Sequence, residues 1–160
     1  MKVINRSDGI VGYELPELNI RRVFNPGESK DIKEEEINSL FQQDGGAVLV
    51  RQFLIIEDEE WVNRNYSNAP VEYFWKVEDI KKCLLEDELD LFVDTLQYAP
   101  LGVLELIKSL SWKLPLRDLN KVQAILEHLG FDVLKAIDVM SSKVAKANTP
   151  APERLRKRKE

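Results

Sequence analysis

From residue 77 to residue 146, apolar side chains return every third or fourth position, and this spacing limits what the chain can fold into more than any other feature. It predicts five helices, over 77–85, 88–97, 100–111, 119–128 and 133–146. Their ends have chemical causes. Asp87, Asp118 and Asp132 suit N-caps, Pro100 suits a first helical position, and Gly130 suits the left-handed residue that closes a helix. Connections this short make neighbouring helices pack antiparallel or at an angle, so a helical bundle is expected.

The first 32 residues follow a different pattern. Runs over 2–5, 10–15, 20–24 and 29–32 lean apolar and are separated by turn chemistry, including Ser7-Asp8-Gly9 and Asn25-Pro26-Gly27. They predict three or four short strands in a small antiparallel meander, with Gly12 marking a bulge or a close backbone approach. Such a sheet needs a cover, and residues 33–43 supply one. Ile37, Leu40 and Phe41 form an apolar stripe, while Glu34, Glu35 and Glu36 suit the positive end of a helix dipole. Gly45-Gly46 ends that helix, and residues 47–56 are ambiguous between a short helix with a strand and one buried strand; a helical turn followed by a strand over 54–56 is preferred. The fold class is therefore α+β: a small N-terminal antiparallel β meander with a covering helix, then a C-terminal helical bundle and a disordered basic tail. The expected divisions are a β-containing subdomain over 1–63, an aromatic-rich connection over 64–75, the bundle over 76–146 and the tail over 147–160.

Charge separates the tail from the body. Residues 143–160 hold seven Lys and Arg against two Glu, a balance of +5, so the net charge of −5 leaves −10 on the rest. Arg154, Arg156, Lys157, Arg158 and Lys159 are the candidate contacts to nucleic acid or to an acidic partner. Phosphate contacts of this kind would be sequence-blind and salt-sensitive. The plainer reading, a solubilising terminus, stands level with it. The other candidate surface is the aromatic set Trp61, Tyr66, Tyr73, Phe74 and Trp75, since such residues anchor interfaces. More often they seal one subdomain against another, and that reading is preferred.

Templates for catalysis fail on inventory. His128 is the single imidazole and falls off the stripe of Val122, Ile125, Leu126 and Leu129, so a solvent-facing structural role is expected. Cys83 is the single cysteine and shares a helical face with Ile80 and Leu84, which reads as core. One His and one Cys cannot build a zinc cage, and one Cys cannot form an intrachain disulfide. Gly45-Gly46 and Gly27 lack the spacing of phosphate loops. The acids Glu57-Asp58-Glu59-Glu60, Glu86-Asp87-Glu88, Asp90 and Asp94 read as helix starts, because consecutive helical residues diverge and do not converge on one ion. A helix-turn-helix over 119–140 is disfavoured, since its second helix would offer mostly apolar and acidic residues to DNA. No catalytic residue, metal or cofactor is expected. No apolar run approaches the roughly 20 residues that span a bilayer, and the polar start of the chain is unlike a signal peptide. No membrane partner is therefore expected, and the protein should stay in the compartment where it is made.

Certain strings carry a family likeness. VINRS (3–7), VGYELPEL (11–18), RRVFNPGESKDI (21–32), GGAVLV (45–50) and the run from DIKKCLLEDELDLF through LNKVQAI (79–125) resemble small proteins encoded by tailed bacteriophages, including crAss-like phages. The likeness covers about residues 3–142 and leaves out the basic tail. It carries over no catalytic residue. What it implies is a phage context, in which small non-enzymatic proteins serve as virion or assembly components. The expectation is a capsid-, portal- or tail-associated protein that binds other phage structural proteins. DNA would be a second partner for the tail, and the location would be the virion, or the host cytoplasm during assembly. The competing expectation is an intracellular regulator that binds a host or phage transcription protein.

Overall fold

A computed structural model describes residues 1–148 and shows an α+β protein. Strand β1 (Lys2–Asn5) lies at the centre of a three-stranded sheet, antiparallel to β4 (Ser29–Asp31) on one side and to β5 (Leu54–Ile56) on the other. Between β1 and β4 the chain makes a separate hairpin of β2 (Val11–Leu15) and β3 (Ile20–Phe24). A 3-10 turn, Pro16–Leu18, joins them, with Asn19 at φ 52° closing it.

The strand positions match the sequence reading, and the pairing corrects it. The strands are antiparallel but do not run as a sequential meander. Asn5 supplies the reason. Its buried side-chain amide donates to the carbonyls of Gly9, Phe24 and Asn25, at 2.7, 3.2 and 3.1 Å, while its Oδ1 accepts from the Ser7 N–H and hydroxyl. The turn after β1 is thereby pinned to the base of the hairpin, which leaves as its own two-stranded sheet. Gly12 is a close approach, since a β-carbon there would sit 3.0 Å from the Arg22 carbonyl oxygen across that sheet.

Helix α1 (Glu34–Gln42) buries Ile37 and Leu40 and covers the hairpin. Glu36, the third of its first-turn acids, is buried, accepting from the Tyr13 hydroxyl at 2.7 Å and from two Arg22 nitrogens at 2.9 Å each. Gly45 (φ 77°) turns the chain into α2 (Gly46–Gln52). Gly46 packs so closely under Leu40 that a β-carbon would fall 1.6 Å from its carbonyl oxygen. Helix α3 (Glu59–Asn65) then begins at Asp58, whose carboxylate accepts from the Trp61 N–H at 2.9 Å.

The second half contains α4 (Val77–Glu86), α5 (Leu89–Tyr98), α6 (Leu101–Lys113), α7 (Leu119–Leu129) and α8 (Val133–Asn148). Helix α6 packs on both α4 and α8, and α7 packs on α5 and α8. Asp118 and Asp132 cap α7 and α8, and Gly130 (φ 65°) closes α7, as their chemistry suggests. Two expected ends differ. Asp87 follows α4 in extended conformation and leaves the cap position of α5 to Glu88, which makes no side-chain cap bond. Pro100 stands one residue before α6, where its ψ of 151° is extended and its carbonyl accepts from Val103 and Leu104. Leu126, expected on the core stripe of α7, is 41% exposed.

The described residues form two apolar cores. The first runs from Val3 to Tyr73 and takes in Tyr66 and Phe74 at its margin; the second runs from Ile80 to Val133 with Trp75 packed against it. Tyr66, Ala69, Tyr73 and Phe74 thus tie the connection to the first core. Ala147 and Asn148, placed in the tail by the sequence reading, finish α8. Arg154, Arg156, Lys157, Arg158 and Lys159 lie outside the described residues.

Candidate functional site

The aromatic set does not form one surface. Trp61 and Tyr73 are fully buried, and neither can anchor a partner. The Trp61 indole N–H donates to Asn38 Oδ1 at 2.7 Å, and its ring meets Phe41 edge-on at 5.5 Å. Tyr66 and Phe74 meet the Tyr73 ring edge-on at 5.6 and 5.0 Å. The Tyr73 hydroxyl accepts from the Ile56 N–H and donates to the Val50 carbonyl, so it closes the outer edge of β5. Aromatic bulk here seals a core, and Trp75 alone of the five lines the cleft described next.

The contact between the two halves rests on a residue the sequence reading passed over. Arg6 is buried at the end of β1, and its guanidinium donates to the carbonyls of Leu54 (3.2 Å), Glu72 (3.3 Å) and Tyr73. Its Cζ stands 4.7 Å from the Tyr73 ring centroid. Burial pulls the guanidinium down to about 10, so it stays charged at neutral pH. Its methylenes run under Gly102 of α6, where a β-carbon would lie 2.8 Å from Cγ and 2.7 Å from the Gln52 carbonyl oxygen. Beside it, Gln52 Oε1 accepts from the Leu101 N–H at 2.7 Å. Arg6 and Gly102 therefore bolt the two halves together. A second buried cation acts inside the bundle. Lys121 of α7 donates to the Cys83 and Leu84 carbonyls at 3.2 and 2.9 Å, capping α4 from outside, and lies 5.3 Å from the Phe92 ring.

Next to the joint, the halves enclose an open cleft of about 550 Å³. Ile4 of β1, Trp75, and Leu106 and Leu110 of α6 make its apolar floor, and Lys2, Lys76 and Lys113 stand on its rim. All three ammonium-bearing side chains are roughly half-exposed. Lys2 and Lys76 share one carboxylate, Glu57, at 3.4 and 2.7 Å; Lys113 stands 4.0 Å from Asp8. The two lysines hold the Glu57 carboxyl below its ordinary range.

A different surface lies on α8. Val133, Ile137, Met140, Val144 and Ala147 follow one another at steps of four and three, the spacing of a helix seam. Val133 is buried in the bundle, Ile137 and Met140 are half-covered, and Val144 is 60% exposed. The seam starts inside the fold, and among the described residues nothing covers its far end at Val144.

The groups weighed for catalysis are held apart. Cys83 is buried, its Sγ lies 3.9 Å from the Thr95 hydroxyl, and desolvation pushes the thiol up to about 12. His128 is exposed on α7. Asp58 caps α3, and Glu57 pairs with lysines. Among the described residues, no group of three His, Cys, Asp or Glu side chains is arranged to hold a metal ion, and no helix is long and apolar enough to cross a membrane. No family model, curated protein or solved structure matches the chain.

Proposed function

We propose that the chain is a non-enzymatic component of a bacteriophage particle or its assembly pathway, associated with capsid, portal or tail and binding other virion proteins. The observation that carries this reading is the α8 seam. An apolar stripe at heptad spacing leaves the bundle half-covered at Met140 and open at Val144, and the residues beyond it are basic. Uncovered apolar residues repeated along one face of a helix mark a protein-binding surface more often than a folding defect. The phage context rests on the strings at residues 3–7, 11–18, 21–32, 45–50 and 79–125. In that setting the basic residues 154–159 meet packaged DNA or an acidic protein.

Mass spectrometry of gradient-purified particles tests the reading, with the protein expected at a fixed ratio to the major capsid protein. Its absence from clean particles removes the virion reading. Val144→Glu should prevent incorporation while the chain still folds, and unchanged incorporation would show that α8 is not the contact. The competing regulator reading takes its support from the basic residues past Asn148. A pull-down from infected cells that returns polymerase subunits and no virion proteins would favour it.

A further inference from the structure

We infer that the cleft between the two halves receives an extended acidic segment of a partner protein, seating an apolar side chain between flanking carboxylates. The inference stands on the cleft and not on the α8 seam. Three observations combine. The floor made by Ile4, Trp75, Leu106 and Leu110 is apolar in an otherwise polar surround, which is how sites that take an apolar group are built. Cations outnumber acids along the cleft, within a body whose net charge is −10. Lys2, Arg6, Lys76 and Lys113 line the cleft against Asp8 and Glu78, and Glu57 divides its single charge between two ammonium groups. The ammonium groups are also separated, Lys2 and Lys76 around Glu57 and Lys113 beside Asp8.

Length favours a strand-like occupant. Leu106, Leu110 and Lys113 span two turns of α6, about 10 Å along the helix axis. An extended chain covers that distance with about three residues, enough for one apolar side chain with an acid on either side. The chain's own basic end is the wrong charge for this rim. A nucleic-acid duplex is too wide to enter a cleft of about 550 Å³.

The full chain is panned against a random peptide library, and selected peptides are titrated by NMR while the three tryptophan indole N–H resonances are followed. Trp61 is buried in the first core and Trp112 lies beside α8, so the Trp75 resonance reports on the cleft. Selected peptides should carry carboxylates around an apolar residue and should move the Trp75 signal. The double variant Lys2→Glu/Lys113→Glu, on two half-exposed side chains, should bind them about tenfold more weakly with its melting curve unchanged. Lys135→Glu, on α8, should bind them as the parent does. Four results would overturn the inference: no selected peptide, peptides without acidic residues, movement of the Trp112 signal in place of Trp75, or affinity unchanged in the double variant. A single-stranded oligonucleotide that moves the Trp75 signal when no peptide does would overturn it in favour of nucleic acid.

Discussion

Replacing Arg6 with Met removes the bolt and keeps most of its volume. The guanidinium serves three carbonyls, but the Glu72 oxygen also accepts from the Trp75 N–H at 3.1 Å and keeps that partner. The Leu54 and Tyr73 oxygens lose the Arg6 donor inside the protein. A buried carbonyl left without a donor costs about 1–3 kcal/mol, so the gross loss is about 2–6 kcal/mol. Against this, the variant no longer holds a cation out of water, which returns part of the cost. A net loss of about 3 kcal/mol is expected, and with a urea slope near 2 kcal/mol/M the midpoint should fall by about 1.5 M. Arg6→Lys, whose single ammonium reaches fewer of the carbonyls, should lie between. Equilibrium urea unfolding followed by circular dichroism measures all three chains. Refutation would be an Arg6→Met chain as stable as the parent or more so. The charge would then be a burden replaceable by any apolar side chain, and the joint would owe its strength to packing on Gly102.

Other expectations concern single sites. Gly46→Ala forces a β-carbon to within 1.6 Å of the Leu40 carbonyl oxygen, so the α1–α2 turn must open, at a cost above about 3 kcal/mol by thermal melting. Gly27→Ala has open space and only its φ of 73° to strain it, so it should cost about 1 kcal/mol. Arg22 and Tyr13 hold the Glu36 carboxyl below its ordinary value of 4.5, so its stabilising contribution is full above that pH and is lost as pH falls through the lower folded value. Glu36→Gln should therefore be less stable than the parent at neutral pH, and the gap should close under acid when unfolding midpoints are compared across pH. Cys83 should resist a thiol-specific disulfide reagent in the native chain and react at once in urea; rapid native labelling would contradict its burial.

Most of the backbone was legible because period and punctuation agree. Strand 54–56 was placed from an ambiguous apolar run, and the helix bounds over the second half fall within a few residues of the observed ones. What could not be read was which elements touch. Nothing local to Asn5 says that its amide will gather three carbonyls, yet that choice separates the hairpin from the central sheet. Arg6 and Lys121 carry charges that composition assigns to the surface, and both end up buried because backbone carbonyls converge on them from positions far along the chain. The aromatic cluster shows the same limit. Trp61 and Tyr73 have the chemistry of interface anchors, and only their packing distinguishes an anchor from a core residue. The cleft escaped because its floor and rim come from β1, the start of α4 and α6 together.

The central place of β1 sets an order of events during synthesis. This strand leaves the ribosome well before β5, its partner on one side, has been polymerised, and Arg6 must wait for Leu54, Tyr73 and finally Gly102. A segment made early is locked in place late, so nascent chains stalled before about residue 102 should remain open to proteases at their N-terminal end, however complete their helices.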